Sequence, residues 1–264
     1  MTDSTPHHAA TVLGAILRDA RRRRFMLREE PAALLGVSPD TVRAIEDGTH
    51  RVAPATIATL ADLYRFGHAW ALQRLLAFHT ADDTEVRDDE PGHAHRLAAC
   101  ARQAGSVRWL STLLLPPPVQ TPHYAQAVAE HSTQLPGAPL PPPADTVYIL
   151  DSRVIDRGSG TPAVMAEQLH HLLHLVDSGT EIRIVPADHP VPQPPGHLVE
   201  MTLPTGRVLA RPGPDWVDYH RPGTWSARID DAFHTTDPPS SLALLEQAAR
   251  QHTWAAQPAH GRPQ

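Results

Sequence analysis

The stretch LLGVSPDTVRAIEDG, from Leu34 to Gly48, constrains the fold of this chain more than any other part of the sequence. Gly36 supplies the backbone freedom that a tight turn needs. Ser38 is a preferred residue at a helix N-cap, and Pro39 follows at the first helical position, where its missing N–H costs nothing. The stretch therefore predicts two short helices joined by a tight turn, with Gly48 ending the second helix.

Helical periodicity extends on both sides of this turn, because apolar residues recur at intervals of three and four positions. The predicted helices cover residues 12–23, 28–35, 38–46, a segment that opens at Pro54, and 67–79. Five short helices with brief connections predict an all-α N-terminal domain over residues 1–80.

Positive charge is concentrated in this N-terminal region. Residues 1–79 hold ten arginines against eight carboxylates, whereas the rest of the chain holds thirteen against twenty-one, within a net charge of −6. The local excess permits contact with a polyanion. Arg18 and the run from Arg21 to Arg24 are interpreted either as a solvated helix end or as contacts to phosphate groups.

Composition excludes several classes of protein. The sequence contains no lysine, so Schiff-base enzymes, pyridoxal-phosphate enzymes and P-loop proteins are excluded. The single cysteine, Cys100, permits no intramolecular disulfide and is typical of the reducing cytoplasm. No apolar run reaches the ~18 residues of a membrane span, so no membrane partner is expected.

A change of composition follows the first domain. The acidic segment ADDTEVRDDEPG, residues 81–92, is predicted to be a linker, and residues 255–264 are predicted to be a disordered tail. Between them, residues 93–254 interleave helical and alternating patterns. Strands are predicted in TVYILD, EIRIVP, HLVEMTL, GRVLAR and DWVDYH, and helices near 93–104, 121–131, 162–178, 224–235 and 239–252. SVRWLSTLLL is compatible with a helix or a strand. The predicted fold class is α+β overall, with a five-helix domain followed by a mixed domain.

The N-terminal pattern resembles the XRE (Cro/C1-type) helix-turn-helix family over residues 11–66. The resemblance rests on five helices, the Gly-Val-Ser turn between the second and third, and the IEDG that closes the third. Val37, Val42 and Ile45 are expected to bury the third helix against its partner. The resemblance implies double-stranded DNA as the partner, and a homodimer that binds two half-sites ~34 Å apart. The implied DNA-binding residues are Arg28, Ser38, Asp40, Thr41, Arg43 and Arg51.

Five residues depart from the family pattern. Pro39 and Ala44 offer no hydrogen bond to a base edge, and Asp40 can only accept one, for example from a cytosine amino group. Asp47 stands near the expected phosphate and is expected to repel it. Pro31 falls inside the second helix, where it is expected to remove an early hydrogen bond. These departures weaken sequence reading more than docking on DNA.

The run VYILDSRVIDRGSGTPAVMAEQLHHLLHLVDSGTEIRIVP resembles the C-terminal domain of actinomycete WhiJ-like and antitoxin-like regulators, over about residues 95–250. Its shared features are a strand ending in Leu-Asp, a Gly-rich turn, a helix with the pattern MxxQLxxLL and a strand ending in Val-Pro. The resemblance implies a cytoplasmic transcriptional regulator. Its partner would be a small acidic or toxin-like protein, or its ligand a small molecule. Trp216, Tyr219 and Trp225 are candidates for lining a ligand cavity, with packing in the core as the alternative.

Two other functions stay open beside the leading interpretation of a regulator. One is a repurposed enzyme of secondary metabolism, a cyclase or lyase, in which Tyr148, Asp151 and His171 would move a proton. The other is an interaction module that neutralises a small toxin-like partner. No cofactor and no metal are predicted, because the pair His170 and His174, although four residues apart, is expected by chance in a chain with 18 histidines.

Overall fold

Five helices come first along the chain, and strands interleaved with further helices follow, so the predicted α+β fold class is confirmed. The computed structural model describes residues 8–50, 53–66, 69–80, 85–131, 145–189 and 196–257, without the side chains of 69–70 and 130–131. Within those ranges it contains eleven α-helices, one 3₁₀ helix and seven β-strands. The chain divides into two units, which comprise Met1–Val107, Pro142–Ala144 and Glu200–Pro222, and Arg108–Pro141, Asp145–Val199 and Gly223–Gln264.

The first unit begins with the five predicted helices. They are α1 (His8–Arg22), α2 (Glu29–Leu35), α3 (Pro39–Glu46), α4 (Pro54–Leu63) and α5 (Ala69–Thr80), and α6 (His93–Gln103) follows. Pro39 and Pro54 each occupy the first helical position, as the sequence predicts. Apolar side chains at helical spacing on α1 and α4 form the core of the unit. The most buried of them are Val12, Ile16, Leu17, Ile57 and Leu60.

Close backbone approach fixes α1 against the end of α3. A Cβ atom on Gly14 would lie 2.4 Å from the carbonyl oxygen of Glu46, so a larger residue does not fit there. Gly48 has a φ of +71°, and a Cβ on it would lie 2.6 Å from the carbonyl carbon of Ala10. The glycine that ends the third predicted helix therefore also permits the packing of α1.

The helix α6 packs on the opposite side of α1. Arg102 donates two hydrogen bonds to Asp19, at 2.9 and 2.7 Å. The Cys100 side chain is fully buried, and its Sγ lies 3.8 Å from the carbonyl oxygen of Val12. Burial raises the pKa of the Cys100 thiol, so this cysteine is a packing residue and not a reactive thiolate.

Three strands of the first unit pair antiparallel: β1 (Glu85–Asp88), β7 (Val217–His220) and β6 (Gly206–Pro212). Glu85 pairs with His220 across β1 and β7. The strand β1 lies inside the acidic segment that was predicted to be a linker. Its inward residues are Val86 and Asp88, and Asp88 accepts two hydrogen bonds of 2.6 Å from Arg96. In the alternating pattern that predicts a strand, the second inward position is normally apolar, but here it is Asp88, whose charge is paired with Arg96.

In the second unit, β3 (Thr146–Asp151) and β4 (Glu181–Val185) pair in parallel. The chain between them forms α8 (Ser152–Arg157) and α9 (Pro162–Asp177), and Thr161 caps α9 by accepting a bond of 3.3 Å from the Val164 N–H. The remaining elements are a 3₁₀ turn (Pro117–Val119), α7 (Pro122–His131), α10 (Thr224–His234) and α11 (Pro238–Ala256). The helix α11 includes the first two residues of the predicted tail, and residues 258–264 lie outside the described ranges.

Two strands belong partly to each unit: β2 (Ser106–Ser111) and β5 (His197–Leu203). The strand β2 resolves the ambiguity of SVRWLSTLLL, whose first six residues are extended. Among the described helices, none combines the length and the apolar content that crossing a bilayer requires.

Candidate nucleic-acid interface

The turn between α2 and α3 has the predicted local geometry. Gly36 has a left-handed backbone, with a φ of +66°, and the Val37 N–H donates to the carbonyl oxygen of Ala32 at 3.0 Å. Ser38 then caps α3, because its Oγ accepts a bond of 3.1 Å from the Thr41 N–H. The turn and the cap together fix the direction in which α3 leaves α2.

The inward face of α3 consists of Val42, Ile45 and Glu46, of which Val42 is 1% exposed and Ile45 is 5% exposed. The prediction that Val37 also buries α3 is wrong. Val37 is 38% exposed, because it follows the left-handed Gly36 and its side chain leaves the core at the turn.

The outward face of α3 presents Pro39, Asp40 and Arg43, with Thr41 and Ala44 half-buried beside them. Arg43 pairs with Asp40 at 3.2 Å, and both side chains are more than half exposed. A pair this exposed contributes about 0–1 kcal/mol, so a phosphate group can compete for the Arg43 guanidinium.

Arg28 lies at the N-cap position of α2 and faces the same side as the cap of α3. Its Nε donates a hydrogen bond of 3.2 Å to Glu46, and the side chain is about one third exposed. That bond uses one of the five N–H donors of a guanidinium group. Arg28 can therefore hold Glu46 and contact a phosphate at the same time.

A buried ion-pair cluster lies behind this face. Arg21 donates to Glu46 through Nε at 2.5 Å and Nη2 at 3.0 Å, and Arg18 forms ion pairs with Glu46 and Asp47. Glu46 is 3% exposed, and the two arginines are 5% and 6% exposed. The hydrogen bond from Arg21 to Glu46 raises the pKa of that guanidinium above its usual value.

The arginine run is thus divided between two roles that the sequence did not separate. Arg18 and Arg21 point inward and hold α3, so neither a solvated helix end nor a phosphate contact describes them. Arg22, Arg23 and Arg24 stay exposed. Partial desolvation of the guanidinium group, and next the charges of Arg18 and Arg21, lower the pKa of Arg22.

Two of the residues that depart from the family pattern do not have the effect expected of them, and local contacts explain why. Asp47 was expected to repel a phosphate, but its carboxylate is paired with the Arg18 guanidinium, which offsets the negative charge. Pro31 was expected to remove a hydrogen bond. It is the third residue of α2, within the first turn, where N–H groups have no partner in the helix, so no bond is lost.

A groove of about 500 Å³ opens between the beginning of α2 and the beginning of α3. Leu27, Arg28, Pro39 and Asp40 line it, and Leu27 is 67% exposed. Sequence reasoning missed Leu27. Its position directly before Arg28, the residue that precedes the two acidic residues at the start of α2, was the available signal. The predicted contact residue Arg51 lies outside the described ranges.

The three residues of the enzyme alternative lie on β3 and α9. Asp151 is 1% exposed and caps α8, because its Oδ1 accepts from the Arg153 N–H at 2.9 Å. Burial raises the pKa of Tyr148, also on β3, to about 12. On α9, burial and next the neighbouring His174 lower the pKa of His171.

The aromatic residues predicted to line a ligand cavity lie in different units. Trp216 and Tyr219 belong to the first unit, and Trp225 belongs to the second. The guanidinium groups of Arg87 and Arg211 each lie over the Trp216 ring, at 4.7 and 5.0 Å from its centroid. Tyr219 is fully buried.

Comparison with known families supports the interpretation of this face. Residues 12–71 match a helix-turn-helix domain. Residues 139–257 match a family described as a domain of unknown function, DUF5753. Comparison with curated proteins and with solved structures found no match. The helix-turn-helix match begins inside α1, covers α2 to α4 and includes the turn at Gly36. A domain of this kind indicates DNA binding and regulation of transcription.

Proposed function

We propose that this chain is a DNA-binding transcriptional regulator whose helix α3 enters the major groove. The observation that carries the proposal is the exposed face that begins at the Ser38 cap and includes Arg43, with Arg28 beside it. The match to a helix-turn-helix domain over the same residues supports it.

The contacts divide into two kinds. Arg28 and Arg43 carry the positive charge and bind phosphate groups, which gives affinity but no sequence preference. Ser38, Asp40 and Thr41, in the first turn of α3, face base edges. Asp40 accepts from a cytosine amino group, and the Thr41 hydroxyl reads either an acceptor or a donor.

The proposal extends to assembly and sensing. The regulator binds as a homodimer to a pseudo-palindromic site in the cytoplasm, with half-sites about one helical turn apart. The region that matches the domain of unknown function binds a small toxin-like protein or a small molecule, as in antitoxin-like regulators. Trp225, which lies half-buried in the second unit, is its proposed ligand-contacting residue.

The test is binding of the full chain to DNA fragments from the neighbourhood of its own gene, followed by fluorescence anisotropy over a range of salt concentrations. Arg28→Ala and Arg43→Ala should each weaken binding to all fragments and reduce the slope of log K against log salt by about 0.9. Arg250→Ala is the matched control, since Arg250 also lies exposed on a helix and pairs with one carboxylate, at 3.5 Å.

Thr41→Ala separates sequence reading from phosphate binding. It should change the preference among fragments while leaving the salt slope unchanged, because Thr41 carries no charge. If the parent protein binds none of the fragments at low salt, the proposal of a regulator is wrong.

A further inference from the structure

A second concave site lies in the first unit, away from the outward face of α3. It is a cavity of about 660 Å³, bounded by α1, the residues that follow α4 and the beginning of α6. Small-molecule sites in proteins typically enclose about 300–1,000 Å³. Its apolar wall includes Ile16, Tyr64 and Phe66.

The polar lining of the cavity is positively charged. Arg23, Arg24, Arg65 and His95 line it, and a single carboxylate, that of Asp19, is among the lining residues. The charge of Asp19 is already offset, because the carboxylate accepts the two hydrogen bonds from Arg102.

The cavity arginines differ in how their charge is compensated. Arg96 is paired with buried Asp88 through two bonds of 2.6 Å. Arg24 donates only to the backbone carbonyl oxygens of Tyr64 and Arg65. Within the described part of the chain, Arg23, Arg24 and Arg65 form no ion pair with a carboxylate. Three guanidinium charges at the cavity therefore have no carboxylate partner among the residues that the structure describes.

The beginning of α6 adds positive electrostatic potential to the same cavity. Gly92 lines the cavity and is the N-cap of this eleven-residue helix, and no side chain caps it. Backbone N–H groups at a helix start carry partial positive charge and favour an anion.

We propose that this cavity binds a small amphipathic anion. A carboxylate, sulfonate or phosphate group of the ligand contacts Arg23, Arg24 and Arg65, and an apolar body packs against Ile16 and Phe66. Neither the helix-turn-helix match nor the match to the domain of unknown function assigns a ligand to these residues.

The helix α1 connects this site with α3. Ala20 and Arg23 of α1 line the cavity, while Arg18 and Arg21 of the same helix hold Glu46 and Asp47. A ligand that moves α1 therefore moves the groups that position α3. The effect on DNA affinity follows from this connection and rests on the proposed function, whereas binding of the anion does not.

The first experiment uses two fluorescent probes on the full chain without DNA. Anilinonaphthalene sulfonate is an amphipathic anion, and N-phenylnaphthylamine has the same aromatic body without the sulfonate. The sulfonate should bind saturably at one site per chain. The double variant Arg23→Gln/Arg65→Gln should weaken it by roughly tenfold, because charge-assisted bonds are lost. Affinity for the neutral probe should stay unchanged.

Two further variants keep the test decisive. Ala20→Phe fills the cavity and should abolish binding of both probes. Arg43→Gln removes an exposed arginine outside the cavity and should leave both affinities unchanged. Circular dichroism of each variant establishes that it is folded. Absence of saturable sulfonate binding, or equal losses in Arg43→Gln and in the double variant, would overturn the proposal of an anion site.

The second experiment measures DNA affinity with the sulfonate probe absent and at saturation. The reciprocal nature of linkage requires that any change in DNA affinity be matched by an equal change in probe affinity when DNA is bound. The expected change is at least fivefold, and Ala20→Phe should remove it. An unchanged DNA affinity with the cavity occupied would refute the connection through α1. Failure of the parent to bind DNA would refute only the proposed function, since the anion site is measured without DNA.

Discussion

Glu46 lies at the centre of the contact between α1 and α3. Removing its charge tests whether the buried ion-pair cluster holds α3 in place. In Glu46→Gln the side chain keeps its size but loses the charge that compensates Arg18 and Arg21, which are 5% and 6% exposed. Breaking a buried pair from one side costs about 3–5 kcal/mol, because the remaining charges stay buried without a partner. A glutamine oxygen still accepts one bond from Arg21, so we expect a loss near the lower end, about 3 kcal/mol.

The assay is urea unfolding at neutral pH, followed by circular dichroism, together with thermal melting. For a chain of this size, each kcal/mol corresponds to a shift in Tm of about 2–4 °C, so the variant should melt at least about 6 °C lower. The matched control is Glu246→Gln. Glu246 is 48% exposed and lies 3.5 Å from Arg250, and such a pair contributes about 0–1 kcal/mol.

The result that refutes this reasoning is a loss of stability in Glu46→Gln no greater than that in Glu246→Gln. It would mean that water or rearranged side chains compensate Arg18 and Arg21, and that the cluster does not fix α3. A loss of DNA affinity that follows the loss of stability would connect the cluster to function, since Glu46 also contacts Arg28 at 3.2 Å.

Three further predictions follow from local geometry. Overpacking usually costs about 1–3 kcal/mol, and Gly14→Ala should destabilise the chain by more than that, because its Cβ would lie 2.4 Å from a carbonyl oxygen at the end of α3. Gly36→Ala has open space around it and should cost only about 1 kcal/mol, for its left-handed backbone. Equal losses of stability in urea unfolding of the two variants would contradict this. Burial lowers the pKa of His197 to about 4, below its unfolded value near 6.5, so the unfolded state binds the proton more tightly. The contribution of neutral His197 to the free energy of unfolding is complete above pH 6.5 and falls as the pH decreases towards 4. The free energies of unfolding at pH 7 and pH 5 should therefore differ by on the order of 2 kcal/mol because of this residue, and His197→Gln should remove that difference. Asp151→Asn and His171→Gln should fold and bind DNA as the parent does, whereas conversion of a metabolite by the parent, slowed a hundredfold in either variant, would support the enzyme alternative.

Local signals were enough to predict most of the fold. The Ser38 cap, the left-handed Gly36 and the prolines at first helical positions are fixed by interactions within a few residues, so the sequence contains the whole of their cause. The same holds for β3, whose first five residues are β-branched, aromatic or apolar and whose sixth is the capping residue Asp151. Where periodicity and capping agreed, the helices began and ended close to the predicted residues.

Long-range pairing could not be predicted. Nothing near Arg18 or Arg21 in the sequence indicates that their partner is Glu46, more than twenty positions away, so the arginine run gave two interpretations that the structure divides. The strand β1 was missed because its inward Asp88 replaces an apolar residue, and because the strand that it pairs with, β7, lies far away in the sequence. The anion cavity combines residues from three separate segments, 16–24, 64–66 and 91–99, and no local pattern marks such a site.

The most direct test of the central claim, that α3 reads DNA, is selection of binding sites by the full chain from a pool of random double-stranded DNA. The account predicts enrichment of a pseudo-palindromic sequence with half-sites about 10 base pairs apart, and a changed consensus within each half-site for Thr41→Ala. It also predicts that Arg250→Ala selects the same consensus as the parent. A selected pool no different from the input at low salt would contradict the claim.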